Sequence, residues 1–199
     1  MMNLNIGSHN VRLKDYLNVD ILPLENVDLV CDITQTPWQM IENRPELKTA
    51  HPVPGSMNEN GTDAILMVEV LEHLSFHDTN RVLKEIHRVL KPGGTIHIQV
   101  PDCGSMMEMY VNDQIDPRIP HKPQSEEQVL KLREETGKAV HPTRWLMAFC
   151  GAQKYGVPDI HKNIFTKQRM EDALEEAGFN KIDFKEDPLR WKIKVTATK

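Results

Sequence analysis

The chain has 199 residues, 39% of them hydrophobic, three cysteines and a formal net charge of −5 at pH 7. That length supports one domain with a substantial core, and with no apolar run of about eighteen residues no membrane span is expected. The acidic balance argues against a dedicated nucleic-acid binder, which presents a basic face.

A strand is expected over residues 3–7, followed by the polar loop Ser8-His9-Asn10. Only a short helix or turn fits before a second strand at 16–20 and a third at 28–32. Residues 34–61 hold Pro37, Pro45, Pro52 and Pro54 without sustained periodicity, so an irregular connection is expected, with room for a short helix over 38–47. Residues 63–68, Asp-Ala-Ile-Leu-Met-Val, form an apolar run of strand length. Glu69-Val70-Leu71-Glu72-His73-Leu74 follows, with an acid at the strand's carboxyl end.

Over 79–90 the apolar residues Val82, Leu83, Ile86, Val89 and Leu90 make the stripe of an amphipathic helix. Lys91-Pro92-Gly93-Gly94 stops it, since proline cannot continue the ladder and glycine accepts a left-handed turn. Residues 95–100 alternate as a strand, and Pro101-Asp102 ends it with another carboxylate. Strand, crossover helix and strand form a parallel unit, and ligands of such sheets bind beyond the strands' carboxyl ends, where Glu69 and Asp102 fall.

An irregular insertion is expected around 103–165, containing helices over 125–136 and 142–153, the latter with Trp145, Leu146 and Phe149 facing inward. A clearer helix follows Thr166, with Met170, Ala173, Leu174 and Ala177 as its stripe and Gly178 as its end. Residues 182–184 and 191–196 read as closing strands.

The words EVLEHL, RVLKPGG and a strand ending in VPD resemble class I S-adenosylmethionine-dependent methyltransferases, in particular a compact subgroup. Leu4-Asn5-Ile6-Gly7 is similar to the opening of that family's glycine motif, and Ala177-Gly178-Phe179 to its last helix end. The resemblance implies an α/β fold, Rossmann-like and doubly wound. Its sheet would be mostly parallel and seven-stranded, with an antiparallel carboxyl-terminal edge, in a single domain over 1–199.

The resemblance also implies a cofactor, S-adenosylmethionine, and residues to hold it. Asn5, Gly7 and His9 match the loop, where glycine permits close backbone approach. Asp20 and Ile21 match the end of the second strand, where a carboxylate accepts the ribose hydroxyls. Asp32 and Ile33 match the adenine wall, and Glu69 and Val70 the wall beside the sulfonium, where negative charge is favourable. The chain departs from the family at His9, which replaces a second glycine, and at Val11, which replaces a small residue.

Methyl transfer from a sulfonium is a direct displacement, so holding the reactants in line supplies much of the rate. A general base is required only where the acceptor must lose a proton. The candidates are Asp102, His73, His141 and His161, the histidines because they titrate near neutrality. Each has a plain structural alternative, Asp102 as a cap on the following turn and each histidine as a hydrogen-bonding residue. His73 and His77 have helical metal-pair spacing, but Ser75 and Asp78 mark a new helix start between them, and no metal is expected.

These readings converge on a methyltransferase acting on a small-molecule or sugar-like acceptor. The rival, motivated by His9, is a catalytically degenerate methyltransferase fold serving as a binding or assembly module. A nicotinamide-dependent oxidoreductase ranks third, because residues 7–12 lack the GxGxxG spacing. The first residues hold no basic, apolar leader, and Cys31, Cys103 and Cys150 form neither a metal spacing nor a disulfide framework. A cytoplasmic location is therefore expected.

Overall fold

In the computed structural model, which describes residues 3–38, 58–119, 125–138, 140–151 and 160–199, seven strands form one sheet in the order β3-β2-β1-β4-β5-β7-β6. The strands are β1 (Asn3–Ile6), β2 (Tyr16–Asp20), β3 (Leu29–Val30), β4 (Thr62–Val68), β5 (Leu90–Pro101), β6 (Asn180–Lys185) and β7 (Lys192–Thr198). Strands β1 to β5 pair in parallel. Strand β7 runs antiparallel to both β5 and β6. The expected Rossmann-like sheet with an antiparallel edge is thus the one formed. Strand order reverses at β1, which has β2 on one side and β4 on the other, and a ligand crevice opens at such a switch point.

Only turns join β1 to β2, as the spacing requires. A buried polar web holds that connection in place. Asn5 Nδ2 donates to Asn18 Oδ1 at 3.0 Å and to the Val11 carbonyl at 3.3 Å. The Asn18 amide and side chain both donate to Asp28 Oδ2 at 2.9 Å, and Arg12 pairs with Asp28 Oδ1 at 2.7 Å. Burial pushes the Asp28 carboxyl up, but the bonds from Asn18 and the Arg12 charge outweigh it, and the group lies below its ordinary value.

After β4 comes a single 3-10 turn, Leu71–His73, and then helix α1 (Phe76–Val89). The helix begins three residues earlier than its apolar stripe implied, because Ser75 caps it by accepting from the Asp78 amide. Val82, Leu83, Ile86 and Val89 are fully buried, each worth on the order of 2 kcal/mol by area. The Lys-Pro-Gly-Gly break behaves as expected: the helix ends at Val89, Leu90 is already extended and Gly93 takes φ 79°. Leu90 pairs with Thr62, so the break also belongs to the start of β5.

The region 103–165 is more helical than expected: α2 (Cys103–Val111), α3 (Glu126–Thr136) and α4 (Pro142–Cys150) lie within it. Helix α4 stops at Cys150, short of the expected end at 153, with Gly151 at φ 70° as its cap. The inward placement of Leu146 does not hold. It is 51% exposed, while Trp145 and Phe149 pack against a second cluster of Met106, Met109, Val129, Val140, Ala148 and Trp191. The larger cluster lies on the sheet with α1 and α5 (Lys167–Glu176), whose Met170 and Leu174 are buried. The helix expected over 38–47 falls largely outside the described residues, as do positions 152–159. Among the described residues, no helix is long and apolar enough to cross a membrane.

Candidate functional site

Beyond the carboxyl ends of β1, β2 and β4 lies a cleft of about 640 Å³, within the range that takes a nucleoside-sized ligand. Its lining includes Gly7, His9, Asp20, Ile21, Asp32, Ile33, Glu69 and Val70. Those are all the predicted cofactor residues but one. Asn5 faces the web below the loop and shapes the cleft indirectly.

Strand β2 ends on Asp20, 8% exposed. Its Oδ2 accepts the His9 amide at 2.8 Å and its Oδ1 accepts the Leu22 amide at 2.9 Å. Each oxygen keeps one further acceptor site, so the carboxylate can still take two hydroxyl donors. The two amides fix its orientation.

The loop after β1 tolerates the missing glycine by conformation. His9 takes φ 42°, the region glycine normally supplies, with its amide on Asp20 and its carbonyl accepting from Asn26. Gly7 is constrained in another way. At φ 71°, a Cβ there would lie 2.3 Å from Cγ2 of Val70. The absent side chain therefore lets Val70 close against the loop and form the cleft wall.

At the end of β4, Glu69 holds φ 56°, a strained conformation for a non-glycine residue and one concentrated at functional positions. It is anchored by its amide on the Gln99 carbonyl at 2.8 Å and by Lys192 Nζ on its carboxylate at 2.6 Å. Across the cleft, Asp32 accepts the Thr34 amide and hydroxyl at 2.9 and 2.7 Å. Partial burial raises the Asp32 carboxyl, but the bonds from Thr34 and Gln35 and the Lys162 charge hold it below the ordinary value.

The predicted acid–base residues separate. Of the four, His73 alone lines the cleft. His161 sits edge-on to it, ring centroids 5.0 Å apart. Asp102 is the N-cap of α2, accepting from the Ser105 amide at 3.0 Å and the Ser105 hydroxyl at 2.8 Å. His141 is the N-cap of α4, its Nδ1 accepting from the Thr143 amide at 3.1 Å. Asp102 therefore has the capping role that was its structural alternative and His141 a structural hydrogen-bonding one, and neither borders the cleft.

Two residues were missed. Lys162 lines the cleft and is the one lysine or arginine there among the described residues. In sequence it adjoins His161, one of the acid–base candidates. Glu72 is 1% exposed, and neither of its carboxylate oxygens has a hydrogen-bond partner. Burial, and next the Glu69 charge, push its carboxyl up to about 8. Nothing in a helical or strand period marks Glu72 as buried, since it lies in a 3-10 turn between the two.

A family model described as a methyltransferase domain matches residues 10–183. No curated protein matches the chain. Among solved structures, a SAM-dependent methyltransferase from Archaeoglobus fulgidus superposes with a TM-score of 0.53 at 14% identity, covering 100% of this chain and 86% of the other. A SAM-dependent methyltransferase from Methanosarcina mazei gives 0.51 at 15% identity, covering 100% and 92%. The 1,6-didemethyltoxoflavin-N1-methyltransferase of Burkholderia thailandensis gives 0.50 at 14%, covering 100% and 70%. These likenesses are likenesses of fold. The chain spans 40%, 47% and 51% of the length of three other solved structures that it matches.

Proposed function

The chain belongs to the methyltransferase-domain family, and from that premise we propose that it transfers the methyl group of S-adenosylmethionine to a small-molecule or sugar-like acceptor. The observation that carries this reading is the convergence of Gly7, Asp20, Asp32, Glu69 and Val70 on one cleft beyond the parallel strands. The residues suit the donor: an oriented carboxylate at the end of β2 for a ribose, apolar Ile21 and Ile33 for a ring face, and the acid Glu69 for a positive centre.

When bound, the donor supplies an already activated methyl group. The protein's part is to hold the acceptor atom in line with it and to exclude water. Asp20 would orient the ribose through the lone pairs left by the His9 and Leu22 amides. Glu69, held rigid by Gln99 and Lys192, would place negative charge near the sulfonium. His73, at the cleft wall, is the residue best placed to accept a proton from an acceptor hydroxyl.

The test is calorimetric titration of the protein with S-adenosylhomocysteine, followed by transfer of labelled methyl to a panel of hydroxyl and amine acceptors. Binding in the micromolar range and label transfer to a small molecule support the reading. A folded protein that ignores millimolar ligand refutes it. That result would favour the binding-module reading, which the substitution of His9 for glycine motivates.

A further inference from the structure

We propose that Glu72, His73 and His161 form a binding site for a divalent transition-metal cation of the zinc or cobalt type. One donor atom from each residue lies within 4.8 Å of the others, close enough for a shared ion after small side-chain adjustments. Exposed acids often cluster without an ion, but Glu72 is buried and both its oxygens lack hydrogen-bond partners. A buried carboxyl group left in that condition is costly, and native structures rarely keep one without a role. A cation beside it supplies the missing partner.

The imidazoles point to the same use. His73 Nδ1 lies 3.3 Å from the Ile160 carbonyl oxygen and His161 Nδ1 lies 3.1 Å from the Ala148 carbonyl oxygen. A carbonyl only accepts, so Nδ1 carries the proton in each neutral ring and the lone pair falls on Nε2. Histidines that ligate metals are oriented in this way, with the second nitrogen donating to a backbone carbonyl.

The donors also sit on backbone that is tied together. Glu72 and His73 occupy the 3-10 turn after β4, and the Glu72 carbonyl accepts the amides of Lys162 and Asn163 at 2.8 and 3.1 Å. This brings the segment carrying His161 against the turn. Two imidazoles and one carboxylate make the donor set of zinc sites that keep an open position, whereas magnesium and calcium prefer oxygen alone. Through His73 the site adjoins the cleft described above. The inference goes beyond methyl transfer and does not depend on it; with the ion bound, His73 is a ligand and no longer the proton acceptor of that reading.

The test uses chelator-treated full chain without any methyl donor. Cobalt(II) is added while visible d–d absorption is followed, and zinc(II) is then added in competition. The expected result is one equivalent of cobalt bound, displaced by zinc. Glu72→Gln and His161→Ala should each weaken it at least about tenfold, and His77→Ala, exposed on α1, should leave it unchanged. Glu72→Gln is isosteric, so the metal-free variant should melt at or above the wild-type temperature, which separates lost ligation from lost folding. Absence of cobalt binding by the folded wild-type protein would overturn the proposal, as would binding that Glu72→Gln leaves intact.

Discussion

Replacing Asp20 with alanine removes the acceptor of two backbone amides and the proposed partner of two ribose hydroxyls. The amides of His9 and Leu22, at 2.8 and 2.9 Å from the carboxylate, would lose their bonds in one step. Two hydrogen bonds to a charged acceptor contribute about 1.5 kcal/mol each at the low end, so donor affinity should fall by about 3 kcal/mol, on the order of 150-fold. Loss of the His9 anchor also frees the loop, which adds to the effect. Asp20→Asn keeps one acceptor oxygen and should lose roughly tenfold. The assay is calorimetric titration with S-adenosylhomocysteine at a temperature where circular dichroism shows each variant folded. Wild-type affinity in folded Asp20→Ala would refute the assignment of this carboxylate to the ribose and the placement of the donor in this cleft.

Further expectations follow from the same geometry. Gly7→Ala should lower stability by about 2–3 kcal/mol, from the left-handed backbone and the 2.3 Å approach to Val70; adding Val70→Ala should recover the steric part, as read by urea unfolding. Asp102→Ala should cost about 1 kcal/mol through loss of the α2 cap, whereas Asp102→Asn should retain stability; a large fall in kcat for the asparagine variant would show that the acid acts in the reaction after all. Because the Asp28 carboxyl is depressed in the folded protein, its contribution is present above its unfolded value and is lost as pH falls through the folded one. Thermal unfolding of Asp28→Asn should therefore decline less steeply between about pH 5 and pH 2 than that of the wild type. Glu85→Ala should destabilise by about 2–3 kcal/mol, since Glu85 accepts the buried Trp38 amide at 2.6 Å and binds Arg88 at 2.7 Å.

Much of the sheet was legible because its signals are local. The apolar run 63–68, the stripe on α1 and the Lys-Pro-Gly-Gly stop each follow from residues in contact with their sequence neighbours. The acids at strand ends were legible for the same reason: Asp20 and Glu69 stand where an extended segment must turn. What escaped depends on partners far along the chain. Asn5 matches a cofactor motif, yet its register opposite Asn18 sends its side chain into the web under the loop. Leu146 lies beside Trp145 in sequence, but one helical step rotates it by about 100° and out of the packed face. Glu72 reads as a surface acid in sequence, because the turn that carries it is tied to the distant segment at 162–163, which no periodicity connects to it.

The two hydrophobic clusters divide the molecule's labour. The described lining of the cleft comes from residues 6–34, 68–78 and 162, while α2 and α4 build a separate core around Met106, Val129 and Trp191. Substitutions on the exposed flank of that helical half, such as Tyr110, Val111 and Leu146, leave every described wall of the cleft in place. A directed-evolution library confined to 103–151 should retain folded, ligand-competent members at far higher frequency than one confined to 3–34.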